Sequence, residues 1–203
     1  FRFATLSYFT EFWPSDNTDP IERLFIQWGF SQVFPAKTMC AHVTTWNKNS
    51  SVKFRTDVAM MCKLGFDIKL ADMSKDDETY CRTAVQNYNR LKPVVLEGDM
   101  YRLVSPYGSN HTSTMYVGKD KDKAVVFAFD IHPRYAEKTL PVRLQGLDAD
   151  KMYRVKEINL MPGANSSLSG NGEVFSGEFL MNVGLNLFTT QQLNSRVIEV
   201  VAE

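Results

Sequence analysis

The residues best suited to chemistry are two aspartates, Asp16 and Asp19, in the segment WPSDNTDPIER at residues 13–23. Asp19 precedes Pro20 and lies three residues before Glu22, a pattern typical of a helix N-cap followed by a first-turn proline and an acidic third residue. Asp16 has no such structural role, and two interpretations stay open. Its side chain can close a local Asx turn, or its carboxyl can transfer protons in catalysis.

The other potentially reactive groups lack the companions that a metal or disulfide site needs. Three cysteines about twenty residues apart, without a C-x-x-C pair, are predicted to be buried free thiols: Cys40, Cys62 and Cys81. The acidic run at residues 76–78 is predicted to be a solvated helix start rather than a metal site. His111 and His132 have no companion ligands and are predicted to lie at the surface. No metal ion and no cofactor are predicted.

The elements that must position Asp16 alternate between short apolar strands and amphipathic helices. Predicted strands cover residues 6–13, 39–43 and 66–70. The first predicted helix begins at Pro20 and carries an apolar stripe of Ile21, Leu24, Phe25 and Trp28. The second, over residues 54–61, is stopped by Gly65, and the third is capped by Ser74 and ended by Pro93. Three strand–helix repeats predict parallel β/α units over residues 1–93.

The second half, residues 94–203, changes character because strand-like runs follow one another without helices. They cover residues 100–104, 115–117, 124–129, 142–144, 152–159, 174–175, 180–183 and 197–201. Turn-forming residues separate them. Many short strands at such spacing predict an antiparallel β-sandwich.

Length and composition exclude several classes of protein. The 203 residues include 23 basic and 23 acidic side chains, so net charge gives no reason to expect nucleic acid or an anionic membrane as a partner. The apolar runs are too short to span a bilayer, and no glycine-rich loop follows a strand to bind a nucleotide. Three β/α units cannot close on themselves, and the chain starts with Phe rather than Met. We therefore expect it to be the end of a longer protein.

The motif around Asp16 resembles the α-galactosidases of glycoside hydrolase family 36. The resemblance rests on Trp-x-Ser-Asp-Asn-x-Asp at residues 13–19, followed by Ile-Glu-Arg-Leu and then Ile-Gln-x-Gly-x-Ser at residues 26–31. It continues through Phe-Pro at residues 34–35, Met-Cys-Ala-His-Val at 39–43, Leu-Gly-Phe at 64–66 and Gly-Asp-x-Tyr-Arg-Leu-Val-Ser-Pro at 98–106. It covers essentially the whole chain and is specific as a combination.

The resemblance implies an α/β plus all-β fold. Residues 1–93 would be units six to eight of a TIM (β/α)8 barrel, and residues 94–203 a C-terminal antiparallel β-sandwich domain. The family hydrolyses terminal α-galactosides with retention, using two aspartates, and Asp16 matches its general acid/base. The Lys-Trp-Asp motif of the family's nucleophile does not occur in these 203 residues, so we expect this fragment alone to be inactive.

The resemblance also suggests substrate-binding residues, each with a structural alternative. Trp13 lines the sugar site or packs in the core, Asn17 touches the ligand or holds the loop, and His42 touches substrate or is simply buried. The expected partner is a raffinose-type oligosaccharide, and the open sheet edge suggests a homo-oligomer. The cytoplasm is favoured over the periplasm. The competing hypothesis is a non-catalytic carbohydrate-binding or structural β-sandwich module.

Overall fold

The computed structural model describes residues 8–46 and 49–203, which form a short parallel layer, a larger antiparallel sheet and helices between them. The helices are α1 (Pro20–Phe30), α2 (Val52–Ala59), α3 (Lys75–Glu97) and α4 (Gly177–Asn182). The strands are β1 (Cys40–Thr44), β2 (Lys63–Asp67), β3 (Asp99–Val104), β4 (His111–Val117), β5 (Lys123–Asp130), β6 (Met152–Ile158), β7 (Val174–Ser176) and β8 (Asn194–Ala202). Two short 3-10 turns lie at Ala36–Thr38 and Leu70–Asp72.

The parallel layer consists of β1, β2 and a single bridge before them. β1 and β2 pair in parallel, and Phe12 forms an isolated parallel bridge with Met39. The strand predicted over residues 6–13 falls partly outside the described residues, and its described part is reduced to the bridge at Phe12, because Tyr8 and Phe9 are exposed and belong to no strand. The chain opposite them turns into the 3-10 helix Ala36–Thr38, so it offers no extended backbone to pair with.

Helix α1 begins where the sequence predicts. The Asp19 carboxylate accepts hydrogen bonds from the backbone N–H groups of Ile21 (3.0 Å) and Glu22 (3.1 Å), which confirms the N-cap. The buried side of the helix differs from the predicted stripe. Its buried residues are Pro20, Arg23, Leu24 and Gln27. Of the predicted apolar stripe only Leu24 is fully buried, while Ile21 packs against the core and remains partly exposed.

Gly65 does not stop a helix. Helix α2 ends at Ala59, and Gly65 lies inside β2, directly opposite His42 of β1. A Cβ atom at Gly65 would lie 2.4 Å from Cδ2 of the His42 ring, so the close packing of that ring requires glycine here. The third strand is accordingly Lys63–Asp67 rather than residues 66–70, and Leu70 is exposed.

Helix α3 is capped by Ser74, as predicted, but it runs through Pro93 to Glu97. Pro93 and Asn89, whose carbonyl loses its usual donor, both lie on the exposed side of the helix. The buried residues Leu91, Val94 and Val95 continue the apolar side past the proline. Packing of that side outweighs the lost hydrogen bond, so the helix does not end at Pro93.

The six-stranded antiparallel sheet has the order β3-β4-β5-β8-β6-β7. One face packs on α2 and α3, and the other is covered by loops and α4. The predicted antiparallel β-sandwich is therefore a single sheet within the described residues. The predicted strand at 142–144 is reduced to a bridge between Val142 and Leu185. The strand predicted at 180–183 is wrong because Ser176 caps a helix there.

The structure shows the degree of burial of the three cysteines and of two histidines, His111 and His132. Cys62 and Cys81 are buried free thiols, as predicted, whereas Cys40 is only half-buried. Burial raises the pKa of the Cys62 thiol to about 12 and that of Cys81 to about 11. His132 is exposed as predicted, but the surface position predicted for His111 is wrong. His111 is buried because its Nδ1 faces Asp130 Oδ1, 2.8 Å away on the paired strand β5.

One buried carboxylate joins the parallel layer to the antiparallel sheet. Asp57 of α2 is fully buried and accepts hydrogen bonds from Lys53 Nζ (2.6 Å), Tyr80 OH (2.8 Å), Asn159 Nδ2 (3.0 Å) and Ser195 Oγ (2.7 Å). Burial, followed by the nearby Asp57 charge, raises the pKa of the Tyr80 hydroxyl well above its usual value. The phenol therefore remains a hydrogen-bond donor to this carboxylate.

Replacement of Asp57 tests whether this cluster holds the two layers together. Asp57→Ala removes the carboxylate partner of Lys53 and the main acceptor of three further donors, so we expect it to lower the free energy of unfolding by about 3–5 kcal/mol. Urea denaturation followed by circular dichroism measures the change. Asp76→Ala, at the exposed start of α3, is the control and should cost less than about 1 kcal/mol. Equal effects of the two substitutions would contradict the central role of Asp57.

Candidate active site

Three loops meet at the carboxyl end of the parallel layer. Loop 13–19 follows the Phe12 bridge, Thr44 ends β1 and Asp67 ends β2. The hydroxyls of Thr18 and Thr44 lie 2.9 Å apart, within hydrogen-bond distance, and the Thr45 N–H donates to the Asp67 carbonyl at 3.2 Å. In sheets of parallel β/α units this is the end where functional side chains collect.

Loop 13–19 is fixed by its own polar side chains. The Asn17 N–H donates to Ser15 Oγ at 3.1 Å, and the Asp19 N–H donates to Asn17 Oδ1 at 2.9 Å. Asn17 therefore forms the Asx turn of this loop and leads directly into the capping residue of α1. Of the two roles left open for Asn17, the observed contacts are those of a residue that holds the loop.

Asp16 is the exception within this loop. Its side chain is exposed, at a bend between Ser15 and Asn17. Among the described residues its carboxyl makes no hydrogen bond or ion pair, so Asp16 forms no Asx turn. The carboxyl is open to solvent at the carboxyl end of the parallel layer.

Trp13 and His42 lie against one another across the first two parallel segments. Their ring centroids are 3.9 Å apart, and the rings meet edge to face at 71°. Trp13 remains 38% exposed, so this contact leaves part of the indole uncovered. Two of the three residues predicted to contact substrate are thus brought together, one of them in the loop that carries Asp16, and Gly65 makes room for the imidazole.

The electrostatic surroundings of His42 favour its neutral form. Burial lowers its pKa below the ordinary value, and the positive charge of Arg23 acts in the same direction. The Asp67 carboxylate partly opposes this effect by raising the pKa. A neutral imidazole has one ring nitrogen that donates a hydrogen bond and one that accepts, which suits contact with a hydroxyl.

Two buried polar residues that the sequence pattern did not predict lie beneath the loop, Arg23 and Gln27. Arg23 donates from Nη1 to the Ser15 carbonyl at 3.2 Å, from Nη2 to the Cys40 carbonyl at 2.9 Å, and from Nε to Gln27 Oε1 at 3.3 Å. Gln27 in turn donates to the Val58 carbonyl at 3.0 Å. Arg23 and Gln27 lie four residues apart and therefore on the same side of the helix, which is the signal in the sequence for their joint position. An apolar stripe alone does not reveal that this side is buried.

Within residues 8–46 and 49–203, no group of three or more His, Cys, Asp or Glu side chains is arranged to hold a metal ion. The same part of the chain contains no helix with the length and hydrophobicity needed to cross a membrane.

Two family models match the chain. Residues 1–98 match the model described as melibiase, and residues 111–200 match the glycosyl hydrolase family 36 C-terminal domain. Alpha-galactosidase 2 of Hypocrea jecorina is 35% identical over 201 residues, which are 96% of this chain and 25% of that protein. Alpha-galactosidase 1 of Pediococcus pentosaceus is 30% identical over 182 residues, which cover 87% of this chain and 23% of that one.

Solved structures of the same family match at the level of fold. The α-galactosidase AgaB from Geobacillus stearothermophilus is 28% identical with a TM-score of 0.86, and the match covers 98% of this chain and 26% of AgaB. A variant of AgaA from the same organism, solved in complex with raffinose, is 27% identical with a TM-score of 0.80, covering 93% of this chain and 25% of AgaA. The chain thus spans about a quarter of the length of these relatives.

A titration of His42 tests the electrostatics of the site. We expect the midpoint in the folded chain to lie below the ordinary value of 6.5. Because the folded-state pKa is lowered, protonation favours unfolding: this residue's contribution to stability is complete above the unfolded pKa and declines as the pH falls through the folded one. Long-range ¹H–¹⁵N NMR spectra of the imidazole measure the midpoint, with the urea-unfolded chain as control. A midpoint equal to or above that of the unfolded chain would contradict the expectation.

Proposed function

The chain belongs to glycoside hydrolase family 36, and we propose that it supplies the general acid/base, Asp16, to a retaining α-galactosidase. The observation that carries the proposal is the exposed carboxyl of Asp16 at the carboxyl end of the parallel layer, which has no hydrogen bond or ion pair among the described residues. The side chains of Ser15, Asn17 and Asp19 accept hydrogen bonds from nearby backbone N–H groups and so hold the loop in its conformation. Asp16 alone is left available for a ligand.

We propose terminal α-galactosides of the raffinose type as substrates. The relatives that match nearly the whole chain are named α-galactosidases, and one similar structure was solved with raffinose. These names describe proteins about four times as long as this chain, so the activity is proposed for the full-length protein that carries residues 1–203.

The proposed mechanism is a double displacement. Retaining glycosidases hold two carboxyl groups about 5–5.5 Å apart, one as nucleophile and one as acid/base. In this proposal Asp16 first donates a proton to the glycosidic oxygen as the bond to the anomeric carbon breaks. It then takes a proton from the water that attacks the glycosyl–enzyme intermediate. The nucleophile would come from the rest of the full-length protein, because no Lys-Trp-Asp motif occurs in this chain.

The neighbours of Asp16 support a sugar site. The uncovered part of Trp13 offers an apolar surface for a pyranose ring, and the neutral imidazole of His42 suits a hydroxyl. Asn17 would act indirectly by holding the loop, as its hydrogen bonds indicate. We therefore propose Trp13 and His42 as substrate contacts and Asn17 as a loop residue.

We also propose that Phe12, β1 and β2 correspond to strands six to eight of a (β/α)8 barrel. The three segments are parallel and in chain order, with helices between them. Among the described residues β2 pairs only with β1, and its free side faces an open apolar groove of about 660 Å³. The groove is lined mainly by Phe66, Ile68, Leu70, Met73, Cys81 and Val85. Such a face is usually covered by further β/α units.

The open edge predicts self-association of the isolated 203-residue chain. An uncovered strand edge beside an apolar groove favours pairing with another copy, so we expect dimers or larger species. Light scattering coupled to size-exclusion chromatography measures the mass. A strictly monomeric chain at micromolar concentration would contradict the proposed homo-oligomer.

Asp16→Asn in the full-length protein tests the acid/base role. Because the sugar released from raffinose must be protonated as it leaves, we expect kcat/KM for raffinose to fall by about 10²–10⁴-fold. For 4-nitrophenyl α-galactoside the fall should be much smaller, since nitrophenolate leaves without protonation. Steady-state kinetics on both substrates measure the difference.

Asp19→Asn is the matched control in the same loop. It removes a carboxylate but keeps a good N-cap, so it should change neither kcat/KM by more than about threefold. Undiminished raffinose hydrolysis by Asp16→Asn would remove Asp16 from the mechanism.

A further inference from the structure

The loop that carries Asp16 is held from below by one buried side chain. The guanidinium of Arg23 donates to the carbonyl of Ser15, the residue immediately before Asp16, and to the carbonyl of Cys40 at the start of β1. A single planar fork thus ties the candidate catalytic loop to the neighbouring strand. The third hydrogen bond, to Gln27, fixes the orientation of the fork itself.

Burial of the charged Arg23 side chain is unfavourable unless its hydrogen bonds offset the loss of hydration. Arg23 is only 3% exposed, and burial lowers the pKa of its guanidinium. Among the described residues no carboxylate lies within ion-pair distance of it. A buried charge without an opposite charge is destabilising, and a neutral side chain would fill this space at lower cost. What the Arg23 guanidinium can do, and a neutral side chain cannot, is donate hydrogen bonds to two carbonyls at fixed geometry.

The second β/α unit contains a comparable clamp. Arg55 is the fourth residue of α2, as Arg23 is of α1, and its Nη1 donates to the carbonyl of Thr44 at the end of β1, at 2.7 Å. Both arginines therefore fasten a strand end to the helix that follows it. They differ in what the fastened segment carries: Arg23 holds the loop of Asp16, whereas Arg55 holds the segment leading to Trp46.

We infer that Arg23 is a positioning residue for proton transfer, which acts by fixing the Ser15 carbonyl and so the direction in which the Asp16 carboxyl points. This inference rests on the proposed function. The adjacent peptide leaves Asp16 little freedom once Ser15 and Asn17 are both bonded. Loss of the clamp would let the carboxyl move away from the glycosidic oxygen while leaving the other sugar contacts in place.

Misplacement of an acid has a kinetic signature that general destabilisation lacks. Cleavage of raffinose depends on protonation of the leaving sugar, whereas cleavage of 4-nitrophenyl α-galactoside does not. The ratio of kcat/KM for the two substrates therefore reports on the placement of Asp16. A loss of folded enzyme lowers both values by the same factor and leaves the ratio unchanged.

The test compares four forms of the full-length protein: wild type, Asp16→Asn, Arg23→Lys and Arg55→Lys. Lysine keeps the charge but cannot bind both carbonyls as the guanidinium fork does. For Arg23→Lys we expect kcat/KM for raffinose to fall by about 30–100-fold, the size expected for an ångström-scale misplacement. For the nitrophenyl substrate we expect a fall of less than about threefold. Arg55→Lys should leave the ratio within about twofold of wild type.

The outcomes separate this inference from the proposed function. A selective loss in Arg23→Lys and Asp16→Asn, but not in Arg55→Lys, supports both. A selective loss in Asp16→Asn with equal losses on both substrates in Arg23→Lys overturns the role of Arg23 alone. No selective loss in Asp16→Asn overturns the proposed function and the inference with it.

A second variant covers the case in which Arg23→Lys fails to fold. Gln27→Leu removes the brace on Arg23 Nε without touching the Ser15 or Cys40 carbonyls, so the fork is retained but less firmly oriented. We expect a smaller selective loss for raffinose, of about threefold to tenfold. Equal losses on the two substrates in this variant would likewise overturn the inference.

Discussion

The structure depends on burying one carboxylate. Asp57 has no access to water, and its stability in that state requires donors from four places: Lys53 of the same helix, Tyr80 of α3, Asn159 after β6 and Ser195 of β8. A buried carboxylate that lacks these partners is strongly unfavourable. The interface between the parallel layer and the antiparallel sheet is therefore specified by polar geometry as well as by apolar area.

This constraint reaches the candidate site through a short series of direct contacts. Val58 follows Asp57 in α2, and its carbonyl accepts from Gln27, which in turn accepts from Arg23. Arg23 then binds Ser15 at the base of the loop that carries Asp16. The helix anchored in the sheet is thus the same helix against which the loop is braced. A loop at the end of a layer with only a few paired strands gains rigidity from the larger sheet behind it.

The parts of the fold that the sequence predicted correctly depend on neighbours in the chain. Asp19 and Ser74 were identified as N-caps because the groups they cap lie two or three residues away. Gly65 and Pro93 were misinterpreted because their roles depend on distant context. Gly65 is required by the ring of His42 on the adjacent strand, and Pro93 is tolerated because it faces solvent in a helix whose opposite side is buried.

One part of the candidate site, the buried Arg23, could not be predicted for the same reason. The motif around Asp16 is local in sequence, whereas a lone arginine gives no local sign that it is buried, because arginine is usually solvated. Arg23 is buried only because two carbonyls from separate segments, Ser15 and Cys40, converge on it, and that convergence exists only in the folded chain.

Within loop 13–19, the side chain of Asp16 differs from those of its polar neighbours in its hydrogen bonding. A loop aspartate ordinarily satisfies its carboxylate with a nearby backbone N–H, forming an Asx turn. Here Ser15, Asn17 and Asp19 each accept a hydrogen bond from a backbone N–H two or three residues further along the chain, whereas the Asp16 carboxyl accepts none among the described residues. The hydrogen bond from Arg23 to the Ser15 carbonyl adds a further restraint on the backbone next to Asp16. Among the described residues the loop thus keeps one carboxyl without a protein partner, and such a group can exchange protons with a ligand after displacing water alone.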